Sequence, residues 1–201
     1  MSIERETELS GHIHDKGFLI LSGYLRERYG ERRIALQAHL TFEQSYEQVE
    51  SDSAASAELY ALLSEIADVP MRQDVAVTGA VNQHGQLQAI GAVNEKIEGF
   101  YRACKLKDLT GRQGVIIPEA NVRHLMLSHE VVDSVCEGRF HVWSARTVDE
   151  GIELLTGIPT GRRDDHGRLP EATLHARVEE RLEQWAKIAE AERQTREEDG
   201  E

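Results

Sequence analysis

The stretch PMRQDVAVTGAVNQHGQLQAIGAVNEK, residues 70–96, carries the most ordered pattern of the chain. Two short apolar runs, DVAVTGAV and QLQAIGAV, are separated by NQHG, which places Gly85 in the connection. Two apolar runs around a glycine-containing turn predict a strand, a turn and a second strand. The helical period of NEKIEGFYRACKLK, residues 94–107, predicts that a helix follows and that Lys96 lies near its start.

Upstream of this stretch, the apolar segment KGFLILSGYL at 16–25 and the alternating segment IALQAHLTF at 34–42 predict two strands, with Gly30 in a hairpin turn between them. Residues 53–69 have apolar residues at helical spacing and predict an amphipathic helix. Asp52 or Ser51 is expected to cap its start.

Downstream, strands are predicted for GVIIP and FHVWSA, and helices for residues 120–127 and for TVDEGIELLTG at 147–157. Strands and helices alternate loosely, with hairpins among them. The predicted fold class is therefore α+β, or mixed α/β with small mixed sheets packed on several helices, rather than a pure parallel sheet.

The length of 201 residues suits one domain with an appended helix. We predict a domain over 1–157, a linker over 158–170, and a charged C-terminal helix over 171–201 that frays from about residue 193. An apolar stripe on that helix, which includes Leu174, Val178 and Leu182, either packs on the same domain or contacts another subunit.

Composition excludes several classes of protein. A formal net charge of −13 argues against an extended nucleic-acid surface, which needs clustered Lys and Arg. No apolar run is long enough to cross a membrane, and the charged N-terminus lacks the apolar segment of a signal peptide. Cys104 and Cys136 follow no metal-ligand spacing, so we expect reduced thiols, a cytoplasmic location and no metal site.

Ser53 is a candidate nucleophile because it lies at a predicted helix start. Backbone N–H groups in the first helical turn have no intrahelical partner, and together with the helix dipole they suit an oxyanion. The small neighbours Ala54 and Ala55 allow a substrate backbone to approach closely. A serine in this position is, however, also an ordinary helix cap.

Lys96 is a candidate base for that serine. Its neighbours Val93 and Ile97 are apolar, and burial lowers the pKa of a lysine toward the range of a general base. The alternative interpretation is an ordinary surface lysine.

These segments resemble the proteolytic domain of Lon proteases. Residues 70–96 match the family's signature over nearly their whole length, GVIIPEANVRHL resembles the segment that follows, and KGFLILSGYL resembles an early strand pattern of the family. The separation of 43 positions between Ser53 and Lys96 fits the family's serine–lysine dyad, and the Asp-Ser-Ala context is more similar to the LonB branch. The resemblance covers about residues 16–157.

The resemblance implies Ser53 as nucleophile, Lys96 as general base and Thr78 as the residue that orients the lysine amine. Asp52 and Glu50 stand where the family often has acidic residues, and the resemblance leaves open a role for either residue in tuning the lysine or in gating the site. Ala92 departs from the family, which usually has glycine at that position.

The resemblance also implies an AAA+ ATPase module, in cis or in trans, that uses ATP to deliver unfolded or damaged proteins. This chain has no phosphate-binding glycine loop, so no cofactor is expected in it. We expect it to be the proteolytic part of a longer protein that forms a hexameric ring, without nucleic-acid or membrane contact. Alone, it should cleave at most unfolded or short peptides.

Two other function classes stay open at this point. The first is a catalytically inactive module that assembles rings. The second is a nucleotide- or RNA-binding domain, because the Lon proteolytic fold is similar to that of GHMP kinases and of a ribosomal protein domain, and fold does not determine function. The acidic charge makes the second class the weaker alternative.

Overall fold

The computed structural model describes residues 2–3, 12–30, 34–38, 40 and 52–198. Its α-helices are α1 (His12–Tyr29), α2 (Ala55–Ala67), α3 (Val93–Lys105), α4 (His129–Cys136), α5 (Val148–Thr156) and α6 (Leu174–Glu198). Its strands are β1 (Ser2–Ile3), β2 (Gln37–Ala38), β3 (Val75–Val77), β4 (Ala80–Val81), β5 (Leu87–Gln88), β6 (Gly114–Pro118) and β7 (His141–Ala145). Two 3₁₀ segments occupy Asp52–Ala54 and Glu119–His124.

The central sheet is parallel, with β6 between β3 and β7. Helices cover both of its faces. Successive residues of β6 point to opposite sides of the sheet, so they contribute to two different cores. Ile116 belongs to a core formed with α1, α2, α5 and α6, whereas Val115 and Ile117 belong to a second core formed with α3 and α4. The mixed α/β class predicted from the sequence is confirmed.

The predicted strand–turn–strand unit is present but divided. Its first run is interrupted at Thr78 and Gly79, so that β3 joins the parallel sheet while β4 pairs with β5 in an antiparallel hairpin. Gly85 adopts a positive φ of 74° in the turn, and a Cβ at this position would lie 2.7 Å from the ring of Tyr24. Glycine is therefore required there by conformation and by space.

The strand predicted over residues 16–25 is wrong, since these residues lie in α1. Leu21, Tyr24, Leu25 and Tyr29 are buried, which is a helical spacing that the near-continuous apolar run obscures. The hairpin predicted around Gly30 is also wrong. In its place β2, within the second predicted strand, pairs in parallel with β1.

The other element predictions are mostly confirmed. Helix α3, strands β6 and β7, and helix α5, with Thr147 at its start and Gly157 at its end, lie where the pattern placed them. Helix α2 begins one 3₁₀ turn late, at Ala55. Ala54 is its N-cap and no described side chain caps it, so the cap predicted for Asp52 is wrong, and Ser51 lies outside the described residues. Residues 119–124 are 3₁₀ rather than α-helical, and α4 was not predicted.

Helix α6 packs against α2 and buries Leu174, Val178 and Leu182 in the larger core. The buried His175 ties it to the rest of the chain, through a 2.5 Å contact between its Nδ1 and the Tyr29 hydroxyl and a 3.0 Å contact between its Nε2 and Asp149. The helix extends to Glu198, and residues 199–201 lie outside the described part. Fraying from residue 193 stays a prediction. Among the described helices, none combines the length and apolar composition needed to cross a bilayer.

Candidate active site

Ser53 lies in the 3₁₀ turn Asp52–Ala54, which leads directly into α2. Two main-chain hydrogen bonds hold this turn against the β3–β4 junction. The N–H of Gly79 donates to the C=O of Ser53 over 2.8 Å, and the N–H of Ser56 donates to the C=O of Gly79 over 3.1 Å. The backbone of the candidate nucleophile is thus held by a residue 26 positions away.

Gly79 makes this approach sterically feasible. A Cβ on it would lie 3.2 Å from Oγ of Ser56 and 3.3 Å from Cγ of Pro118, closer than ordinary van der Waals contact. In the sequence this glycine is recognisable only as part of a motif. Its structural role depends on a neighbour that is remote in the chain.

Lys96 lies in the first turn of α3, where its N–H donates to the C=O of Ala92 over 3.1 Å. Ala92 precedes the helix in the left-handed region, with φ of 55°. L-residues other than glycine rarely adopt this conformation, so glycine would fit this position with less strain than alanine. The fully buried Ile97 follows Lys96 and anchors the helix in the second core.

The structure brings Ser53, Lys96 and Thr78 together. Nζ of Lys96 lies 2.8 Å from Oγ of Ser53 and 3.3 Å from Oγ1 of Thr78. The Thr78 hydroxyl also donates to the C=O of Ser53 over 3.4 Å. Three elements therefore converge on one point: the turn before α2, the β3–β4 junction, and the start of α3.

The surroundings of Lys96 favour its neutral form. Partial burial lowers the pKa of its amine below the ordinary value, and the negative charge of Asp52 partly opposes this effect. The structure thus places Asp52 close enough to influence the lysine electrostatically. Glu50 lies outside the described residues.

The N–H of Ser56 donates to Gly79, so it is already used by the fold. N–H groups that precede the first hydrogen bonds of a helical segment, such as the one that begins at Asp52, are donors of the type that an oxyanion needs. Among the described residues, no group of three or more His, Cys, Asp or Glu side chains is arranged to hold a metal ion. The chemistry that this site offers is that of a hydroxyl beside an amine.

A model of the Lon protease (S16) C-terminal proteolytic domain matches residues 35–156. The chain is 48% identical over 183 residues to a "Putative Lon protease homolog" of Escherichia coli (strain K12), which covers 90% of this chain and 30% of that protein. It is 39% identical over 158 residues to the "Putative Lon protease homolog" of Haemophilus influenzae, with 78% of this chain and 26% of that protein covered.

Similarity also extends to an "Archaeal Lon protease" of Methanocaldococcus jannaschii, at 30% identity over 157 residues, which covers 73% of this chain and 22% of that protein. The chain spans less than a third of the length of each of these relatives. The family match covers more than half of the chain and includes Ser53, Thr78 and Lys96. The chain therefore belongs to the Lon protease (S16) C-terminal proteolytic domain family.

Proposed function

We propose that this chain is a serine endopeptidase domain that hydrolyses peptide bonds with Ser53 as nucleophile and Lys96 as general base. The observation that carries the proposal is the 2.8 Å separation between Oγ of Ser53 and Nζ of Lys96. A serine hydroxyl needs a base within hydrogen-bond reach, and a lysine acts as that base only when its amine is neutral. The lowered pKa of Lys96 supports that role.

In the first step the lone pair of neutral Lys96 accepts the Ser53 proton while Oγ attacks the peptide carbonyl carbon. The tetrahedral intermediate then collapses, and the Lys96 ammonium protonates the leaving amine, which leaves an acyl-enzyme on Ser53. Lys96, neutral again, takes a proton from the water that attacks the ester carbonyl, and it returns this proton to Oγ of Ser53 as the second tetrahedral intermediate collapses and releases the acid product. Thr78 orients the amine of Lys96 throughout, from its position 3.3 Å away.

The oxyanion of each tetrahedral intermediate needs hydrogen-bond donors close to Ser53. We assign this role to main-chain N–H groups at the start of the helical segment that begins at Asp52, because such groups precede the first intrahelical hydrogen bonds and lie at the positive end of the helix dipole. The small side chains of Ala54 and Ala55 leave room for a peptide backbone beside them.

For the whole protein we propose ATP-dependent degradation of unfolded or damaged proteins in the cytoplasm, by a hexameric ring. The ATP-using AAA+ module would lie elsewhere in the same protein or in a partner. The names of the relatives support this extension, as does the short share of their length that this chain spans. No cofactor is proposed for the chain itself.

The proposal is tested by incubating the chain with a serine-directed fluorophosphonate probe and with a short unstructured peptide. We expect an adduct on Ser53, located by peptide mass spectrometry, and slow peptide cleavage. Ser53→Ala and Lys96→Ala should each abolish both signals, and in the longer, ATPase-bearing protein they should abolish casein degradation.

Matched controls are Ser128→Ala and Lys107→Ala, which change exposed residues outside the site. Both should behave like the unsubstituted chain. Normal cleavage by the Ser53 or Lys96 variant would refute the dyad. A stable ring that never forms the adduct would favour the inactive assembly module instead.

A further inference from the structure

Asn121 lies on the 3₁₀ segment Glu119–His124 and is only 3% exposed. Its side-chain amide holds both main-chain polar groups of Ile90. Nδ2 donates to the C=O of Ile90 over 2.9 Å, and the N–H of Ile90 donates to Oδ1 over 3.0 Å. One buried side chain therefore fixes the backbone that enters α3.

Asn94, in the first turn of α3, makes the converse pair of bonds. Its Nδ2 donates to the C=O of His124 over 3.1 Å, and its Oδ1 accepts from the N–H of Met126 over 2.8 Å. We call Asn94 and Asn121 the asparagine clamp. Its four hydrogen bonds join the start of α3 to the 3₁₀ segment and the residues just after it.

The same continuous segment also holds the other side of the site. Strand β6 runs directly into the 3₁₀ segment, and the C=O of Ile116 in β6 accepts from the N–H of Thr78 over 3.1 Å. Thr78 and the start of α3 are thus both hydrogen-bonded to one continuous piece of chain, which consists of β6, the 3₁₀ segment and the residues just after it. Lys96 follows Asn94 by two residues in the same helical turn, so a shift of Asn94 would also shift the amine of Lys96.

We infer that the asparagine clamp positions Lys96 against Ser53, so that Asn94 and Asn121 are positioning residues of the dyad although neither contacts the two reacting atoms. The inference rests on the proposed function for its catalytic consequence. Its geometric content, the placement of the Lys96 amine, is independent of activity.

The clamp acts on a turn whose backbone is strained at Ala92. Ala92 is in the left-handed region, a conformation that an alanine leaves readily when its surroundings allow it. Loss of the clamp would let the first turn of α3 move, and a displacement of about 1 Å at a reacting group is enough to cost up to ~100-fold in rate.

A purely structural role would lower stability without moving the amine of Lys96, so the test measures the amine directly. Lysine side chains are labelled with ¹³C at Cε and titrated by NMR, and the Lys96 signal is assigned by its loss in Lys96→Arg. In the unsubstituted chain its pKa lies below the ordinary lysine value, through burial opposed by Asp52 on the facing turn. Displacement of the amine into water raises this pKa.

We expect Asn121→Ala and Asn94→Ala to raise the Lys96 pKa, to move the pH profile of Ser53 labelling upward in parallel, and to slow labelling near neutral pH by about 10-fold or more. Asn94→Ala serves where Asn121→Ala fails to fold, because Asn94 is partly exposed and alanine favours a helix. Ile152→Ala, in the core on α5, controls for lost stability and should leave the Lys96 pKa unchanged.

An unchanged Lys96 pKa and an unchanged labelling profile in the Asn94 variant would overturn the inference, whatever the loss of stability. Failure of the proposed function would give a different result in the labelling experiment. The unsubstituted chain would then form no Ser53 adduct, while the titration of Lys96 in the variants would still decide whether the clamp places the amine.

Discussion

Gly79 donates its N–H to the C=O of Ser53 over 2.8 Å, and accepts the N–H of Ser56 at its own C=O. The residue that interrupts the first strand run therefore also holds the turn of the candidate nucleophile. The adjacent Thr78 reaches Lys96 from the same junction. The consecutive residues Gly79 and Thr78 therefore connect the turn of Ser53 to the amine of Lys96.

Replacing Gly79 by alanine should impair catalysis more than folding. The new Cβ would lie 3.2 Å from Oγ of Ser56, so Ser56, which lies three residues after Ser53 and is hydrogen-bonded to Gly79, has to give by a few tenths of an ångström. We expect peptide cleavage to fall about 10-fold or more, with a loss of roughly 1–3 kcal/mol in the free energy of unfolding. Gly99→Ala on α3 is the control, since its Cβ meets no described atom within 4 Å. Equal activity in both variants would contradict the role given to Gly79.

Removing the Thr78 hydroxyl tests the orientation of the amine. Thr78→Val keeps the shape of the side chain but deletes the contact at 3.3 Å with Nζ of Lys96. We expect kcat to fall about 10-fold, which corresponds to one hydrogen bond of ordinary net strength. Thr78→Ser keeps the hydroxyl and should retain most of the rate. A valine variant as fast as the serine variant would show that the hydroxyl does not act in the reaction.

The pH dependence of labelling should depend on Asp52. Catalysis needs neutral Lys96, so the rate rises with pH through the pKa of its amine. The charge of Asp52 raises that pKa, so Asp52→Asn lowers it further and moves the rising limb to lower pH. The measurement is the pH profile of adduct formation on Ser53 at low salt. Movement of the limb to higher pH would reject this electrostatic relation.

Helix α6 should contribute to the stability of the whole domain. Leu174 is 0% exposed in the larger core, and its replacement by alanine is expected to cost about 2–5 kcal/mol of unfolding free energy, measured by urea denaturation. Ile188, on the same helix, is 56% exposed, and Ile188→Ala should change stability by less than roughly 0.5 kcal/mol. If both substitutions lowered the unfolding free energy by similarly small amounts, α6 would not unfold together with the rest of the core.

Ala92→Gly should be neutral or stabilising although it introduces glycine. The left-handed conformation of Ala92, with φ of 55°, costs an L-residue about 1–2 kcal/mol that glycine does not incur. Ala103→Gly, exposed inside α3, should instead lose about 1 kcal/mol. Thermal unfolding of the two variants gives the comparison, and destabilisation of both to the same extent would argue against strain at Ala92.

Local pattern was sufficient for elements whose periodicity is unambiguous. Helix α3, with Val93, Ile97 and Tyr101 buried one turn apart, and the hairpin around Gly85 are of this kind. The strand prediction for residues 16–25 is wrong because a dense apolar segment has no clear period. The residues form the helix α1, which packs in the larger core with α2. Helix α4 buries only Val131 and Ser134, too weak a signal to identify it.

For the site, the sequence contained the chemistry: a serine near a helix start, a lysine on a later helix, and the resemblance that pairs them. The sequence did not determine the distance between the two side chains. Ser53 and Lys96 are 43 residues apart, and chain connectivity places no useful limit on the distance between them. Only the tertiary structure decided it, because the hydrogen bonds of Gly79, the register of β3 on β6, and the asparagine clamp are all contacts between distant segments.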